Sequence, residues 1–254
     1  MSYFMQIKSL KKGLGYTALF ILYLHLAFIQ VTLPVIFCYR YVNPPITGIM
    51  VYRSVLYKWP LTKIRYVPLK QIPYKTRNMI IKVEDGSFYE HHGIILAALK
   101  NAWEINKGLG EPVYGGSTIT MQTARTLFLV PEKRYVRKYL EMIIALELEQ
   151  ILGKDRIFEL YLNYAEWGKG IFGIQAASVY HYGRSVSKLS TDESVRLVTL
   201  LSSPIKYHPY TIQKNGILKA RYNYLTLRFA PIAAPAVEPV VKTIAQPVLA
   251  PTGE

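Results

Sequence analysis

The stretch Gly15 to Cys38, GYTALFILYLHLAFIQVTLPVIFC, constrains this chain more than any other: 24 residues without a formal charge. As an α-helix rising about 1.5 Å per residue, it can cross a hydrocarbon core of about 30 Å with some tilt. A cleavable leader is the competing reading. Its apolar region would be shorter and would end in small residues, and the following YRYVNPP offers no such site. The expectation is therefore an uncleaved transmembrane helix. His25 and Gln30 within it are expected to face a neighbouring helix or to snorkel. Cys38, the single cysteine, rules out an intramolecular disulfide and leaves the compartment open. Lys8, Lys11 and Lys12 precede the span and Arg40, Arg53 and Lys58 follow it, so local charge does not orient it.

The remaining residues divide around this helix. Residues 1–14 read as a short basic tail and 39–72, rich in Pro, Tyr and Lys, as a linker and membrane-proximal collar. Residues 73–228 read as one mainly helical folded unit. Tyr135 to Leu152 places Val136, Leu140, Ile143, Ile144 and Leu148 near a 3.6-residue period, with Gly153 as a stop. Ile157, Leu160 and Tyr161 repeat the pattern. Ser190 and Glu193 fit a capping box before VRLVTLLSS. No run of alternating strands appears. Residues 229–254, regularly spaced in Pro and poor in charge, read as an extended or disordered tail.

Charge is distributed unevenly. Residues 1–83 carry twelve Lys or Arg and no Asp or Glu, while every acid except Glu238 and Glu254 lies between Glu84 and Glu193. A basic stretch of that length seeks a polyanion: lipid headgroups, a pyrophosphate or a nucleic acid.

Four blocks carry groups suited to chemistry. Glu84-Asp85-Gly-Ser-Phe88-Tyr-Glu-His91-His92-Gly93 packs three carboxylates and two imidazoles among aromatic rings. A carboxylate losing hydration beside such rings is tuned towards proton transfer; the plainer reading is a helix start with acids at the positive dipole end. Gly115-Gly116-Ser117-Thr118-Ile-Thr-Met121-Gln122 could offer backbone N–H groups to an anion, or simply cap a helix. Arg137-Lys138-Tyr-Leu-Glu141 puts Arg137 and Glu141 on one helical face, which taken alone is an ordinary ion pair. Lys154-Asp155-Arg156-Ile-Phe-Glu159-Leu-Tyr161-Leu-Asn163 reads as structural. Ser185-Val-Ser-Lys188 matches an acylating-serine pattern, but no S-D-N or K-T-G follows and it is rejected. No zinc motif is present.

In order and spacing, these blocks closely resemble the family 51 glycosyltransferases, the peptidoglycan polymerase module of class A penicillin-binding proteins and of monofunctional transglycosylases. That family's motifs read E-D-x-x-F-x-x-H-x-G, G-x-S-T-x-x-x-Q, R-K-x-x-E and K-x-x-I-x-x-x-Y-L-N, and all four occur here within residues 73–228. The lack of a transpeptidase module makes the chain look monofunctional. The resemblance implies a mainly α, lysozyme-like glycosyltransferase domain with a membrane-proximal jaw subdomain and an N-terminal transmembrane helix. It implies an extracytoplasmic catalytic domain on a single-pass inner-membrane anchor. It implies lipid II and a growing lipid-linked strand as substrates, with other cell-wall synthesis proteins as candidate partners and no nucleic acid. Glu84 matches the catalytic base and Glu141 the second essential carboxylate. Asp85, Phe88, His91, Ser117, Thr118, Gln122, Arg137 and Lys138 match binding or supporting positions. Arg125 stands where many members have Lys, in a phosphate-contacting region, and Arg can still bind phosphate. Met121 stands where many have Gln. A divalent cation, Mg or Mn, is a candidate cofactor, with Glu141 its candidate ligand. The rival functions are a glycan-cleaving muramidase or lytic transglycosylase of related fold, and a non-enzymatic membrane-anchored scaffold.

Overall fold

The structure is a computed structural model, and it describes residues 2–110, 115–132 and 134–230, with side chains from residue 13 onward. Helix α1 spans Ser2–Tyr39 without a break, so residues 2–14, expected as a separate tail, extend the membrane helix. Its segment Gly13–Tyr39 is long and apolar enough to cross a bilayer. Cys38 and Gln30 are exposed on it. Of the expected tail at 229–254, Phe229 ends the last helix, and residues 231–254 lie outside the described residues.

The folded unit is mainly helical: α2 (Gly48–Tyr57), α3 (Tyr74–Glu84), α4 (Leu96–Leu109), α5 (Ile119–Phe128), α6 (Tyr135–Ile151), α7 (Lys154–Tyr164), α8 (Ile174–Tyr182), α9 (Thr191–Leu200) and α10 (Gly216–Phe229). The two short strands β1 (Glu166–Gly168) and β2 (Ile171–Phe172) pair antiparallel after α7. Helix α5 lies at the centre, packed on α6 and α7, and buries seven of its ten residues. Its turns of Thr and Ala keep it slim enough to be surrounded. The main core gathers Met79, Ile80, Phe88, Ile119, Met121, Ile144, Leu148, Phe158 and Trp167 around it.

The stretch 39–72 is more than a linker. Thr47 caps α2, and Ile49 and Met50 enter a second core with Leu127, Leu160, Tyr164 and Phe172. Val67 N–H donates to Asn163 Oδ1 at 2.8 Å, and Asn163 Nδ2 returns a bond to Val67 O at 2.9 Å. A single α-helical period reaches no partner this distant in sequence, which is why the segment reads as loosely organised.

Capping chemistry is legible where it was expected. Ser190 accepts from Glu193 N–H and Glu193 closes the box by accepting from Ser190 N–H at 2.8 Å. In α6 the buried stripe runs through Glu141, Ile144, Ala145 and Leu148. Val136, expected in that stripe, is 71 % exposed together with Tyr135 at 87 %, because the first turn of α6 projects beyond the core. Nearby Tyr139 reaches the membrane helix: its hydroxyl donates to His25 Nε2, while His25 Nδ1 bonds Ile21 O at 2.8 Å. The expectation that His25 faces a neighbouring helix holds.

Candidate functional site

Glu84 is the last residue of α3. The block it opens is therefore a helix end, where the dipole is unfavourable to a carboxylate. A cation meets that charge: Arg221 of α10 donates to Glu84 Oε1, while Gln122 Nε2 of α5 approaches Oε2 at 3.2 Å. Gln122 is oriented in turn, since its Oε1 accepts from the Tyr161 hydroxyl at 3.2 Å. Tyr161 is buried, and that burial holds its hydroxyl protonated well beyond the usual tyrosine range, with Glu84 adding to the effect. The surroundings of Glu84 thus differ from the expected cage of rings. Phe88 lies wholly in the core, against Phe158 and beneath the Lys154 ammonium.

Glu141 is fully buried on the inward stripe of α6, a place where an unpaired carboxylate is not tolerated. Three cations surround it. Arg137 binds Oε2, Lys138 Nζ lies 3.0 Å from Oε1 and Arg125 of α5 lies 4.0 Å from Oε1. Lys138 also donates to Ser117 Oγ at 2.6 Å, and Arg137 Nε to Glu132 O at 2.5 Å. The ordinary i,i+4 pair of the sequence is the floor of a cluster carrying three positive charges against one negative. Burial pulls the Lys138 ammonium below the ordinary lysine range; Glu141 opposes that shift and the two arginines add to it.

Both carboxylates lie one hydrogen bond behind the same cleft, of about 1090 Å³. Gln122 and Tyr161, which hold Glu84, are in its wall, as are Ser117, Arg125, Arg137 and Lys138, which hold or face Glu141. Helix α4 contributes Trp103 and Lys107, and Glu166 closes another side with both oxygens held by Arg53 at 2.8 and 2.9 Å.

The other expected site residues have supporting places. Asp85 accepts from Ile119 N–H at 2.9 Å and binds His91 Nε2 at 2.9 Å, while His91 Nδ1 accepts from Gly93 N–H at 3.0 Å. Thr118 caps α5, accepting from Met121 N–H at 3.1 Å and donating to Gly93 O at 2.6 Å. Asp85 and Thr118 thus take two N–H groups of the first turn of α5, those of Ile119 and Met121, and Thr118 is the helix cap that the plainer reading of the Gly-Gly-Ser-Thr segment expected. Gly93, at φ +89°, packs on Ala145 and Glu149. A Cβ on Gly116 would sit 2.5 Å from Ala98 O, against backbone that cannot yield. Gly116→Ala should therefore push α4 off the cleft and cost at least ~1–3 kcal/mol by overpacking, seen as a lower thermal midpoint together with lost activity. Met121 is fully buried in the core, so the departure from Gln falls on packing and removes nothing from the cleft.

Sequence reasoning missed Arg221 and the role of Tyr161. Tyr161 carries a signal, a polar-tipped ring on the buried face of α7. Arg221 lies 137 residues from Glu84, with no local pattern to join them. For a divalent cation the fit is poor: both Glu141 oxygens already face cationic donors, and among the described residues no group of three or more His, Cys, Asp or Glu is placed to hold a metal ion.

The residues that hold two carboxylates, three of them cationic, thus line one cleft in a helical domain that follows a long apolar helix. The chain belongs to the transglycosylase family, whose model matches residues 54–228. Among its relatives is a biosynthetic peptidoglycan transglycosylase of Paraburkholderia xenovorans, 42% identical over 197 residues, covering 72% of this chain and 80% of the relative. A protein of the same name from Paraburkholderia phytofirmans is 44% identical over 174 residues, covering 65% and 71%. The family match begins at residue 54, inside the segment read as linker and collar, in accord with its packing onto α7.

Proposed function

We propose that this chain is a peptidoglycan glycosyltransferase that polymerises a lipid-linked disaccharide-peptide into glycan strands and releases lipid pyrophosphate. The supporting observation is the shared cleft: Gln122, which holds Glu84 one hydrogen bond behind the wall, and a cation cluster able to hold a diphosphate border one cavity. The acceptor sugar's 4-hydroxyl attacks the anomeric carbon of the lipid-linked strand. Its proton passes to Glu84 as the new C–O bond forms. The bond from the anomeric carbon to phosphate breaks, and its electron pair goes to the diphosphate oxygen, where Lys138, Arg125 and Arg137 meet the growing charge. Attack from the opposite face inverts the anomeric centre. Glu141 organises the three cations and does not itself touch the diphosphate, which it would repel. A divalent cation, Mg or Mn, bound with the diphosphate would add charge neutralisation to that of the three side chains.

The helix Gly13–Tyr39 would hold the enzyme where both substrates reside and raise their effective concentration. In this reading the anchor is single-pass in the inner membrane and the cleft faces the periplasm. The test is full-length protein with labelled lipid II: ladders of polymer on a gel are expected. Soluble fragments released from purified cell-wall sacculi instead would favour glycan cleavage.

The depressed Lys138 sets the alkaline limit. Its ammonium is the form that binds diphosphate, so activity should fall as pH rises, beginning below the ordinary lysine range. Lys138→Arg keeps its charge throughout. Its rate should be lower, but the alkaline limb should move upward; a limb that stays in place would assign it to another group.

A further inference from the structure

One surface beside the cleft is left without work by this mechanism. Tyr180, His181 and Tyr182 at the end of α8 meet His208 and Tyr210 from the loop after α9. His181 Nδ1 faces His208 Nε2 at 3.2 Å, with ring centroids 4.8 Å apart. His208 stacks on Tyr210 at 5.4 Å with planes 29° apart. Tyr180 stands edge-on to His181 at 4.9 Å, and Tyr182 to Tyr210 at 6.3 Å. Five rings form one continuous aromatic face. Tyr182 packs on the core, but core packing does not account for Tyr180 and Tyr210, which are 63 % and 64 % exposed. Contiguous exposed apolar surface of this kind marks a binding site more often than chance. The face is uncharged at His181, whose imidazolium burial and His208 push down to about 4.

Two stretches of chain join this face to the cleft. Helix α8, which carries His181, packs on β1, where Trp167 directly follows Glu166 of the cleft wall. His208 and Tyr210 follow Ile205, also of the wall, along the same loop.

We propose that this aromatic face is a ledge for the glycan strand, holding sugar rings of the polymer outside the cleft between additions. The proposal rests on the glycosyl-transfer reading above. A pyranose presents a face of C–H bonds, polarised positive, which suits the negative π-face of an aromatic ring. Tyrosine offers that surface with little loss of side-chain freedom. The cation cluster can grip a diphosphate but has nothing for a neutral sugar backbone. A second point of hold keeps the strand end at high effective concentration, so lengthening proceeds without release.

The test uses the full chain in detergent micelles, as wild type, as Tyr180→Ala with Tyr210→Ala, and as Tyr180→Phe with Tyr210→Phe. Binding of a soluble β-1,4-linked N-acetylglucosamine oligomer is measured by calorimetry, which needs no catalysis. Strand length and initial rate are read from labelled lipid II. The alanine pair should bind the oligomer about tenfold more weakly and make shorter strands at an unchanged initial rate, while the phenylalanine pair matches wild type. Equal binding and equal strand length in all three proteins overturn the ledge. So does a phenylalanine pair as impaired as the alanine pair, or an initial rate that falls together with length. Wild type that polymerises but does not bind the oligomer sinks the ledge alone. Wild type that binds the oligomer but forms no polymer sinks the transfer reading alone.

Discussion

Glu84→Gln should bind the lipid-linked precursor almost as well as wild type and polymerise it ~10²–10⁴-fold more slowly, the range that general-base catalysis supplies. The substitution keeps the shape of the side chain and removes its proton affinity. Glu84 sits between a guanidinium and an amide. The glutamine carbonyl can still accept from Arg221, so the ends of α3 and α10 stay tied and the thermal midpoint should move little. The loss should fall on kcat with KM nearly unchanged, because the group acts on the proton that moves in the transition state. Arg221→Ala makes the complementary case. It leaves the base in place without its counter-charge at a helix C-terminus, and should lower activity with Glu84 intact. A Glu84→Gln enzyme turning over near the wild-type rate would remove the assigned role.

How much of this the sequence disclosed depends on the distance over which each interaction acts. The long apolar helix at the N-terminus, the capping box at Ser190 and the α6 period after its first turn rest on contacts within a few residues, and each is found. Glu141 was visible as an i,i+4 partner of Arg137. That it is buried rather than surface-paired follows from its position in register with Ile144, Ala145 and Leu148, a charge on an apolar stripe. The segment 39–72 was misread because its partners, Asn163 and the second core, lie about a hundred residues away. Arg221 was missed for the same reason. The four-motif spacing found Glu84 and Gln122 but gave no geometry. Only the fold reveals that two N–H groups of the first turn of α5, those of Ile119 and Met121, are bonded to Asp85 and Thr118.

Glu141→Gln should do what Glu84→Gln does not, and damage folding and catalysis together. Glu141 is the sole acid facing Arg125, Arg137 and Lys138 among their described ion pairs. Removing its charge changes the local balance from three positive against one negative to three positive alone. Breaking a buried pair in this way costs about 3–5 kcal/mol, which lowers the thermal midpoint by on the order of ten degrees in a domain of this size. Extra positive charge should not tighten diphosphate binding, because Arg137 and Lys138 lose the partner that aims them into the cleft. Pairing the change with Arg137→Met removes a repelling cation from the buried cluster. Stability should then return in large part while polymerisation stays lost. Calorimetric midpoints of the single and double variants, read beside polymer yield, separate the two effects. A single variant that melts at the wild-type temperature would show that the carboxylate does not hold the cations in place.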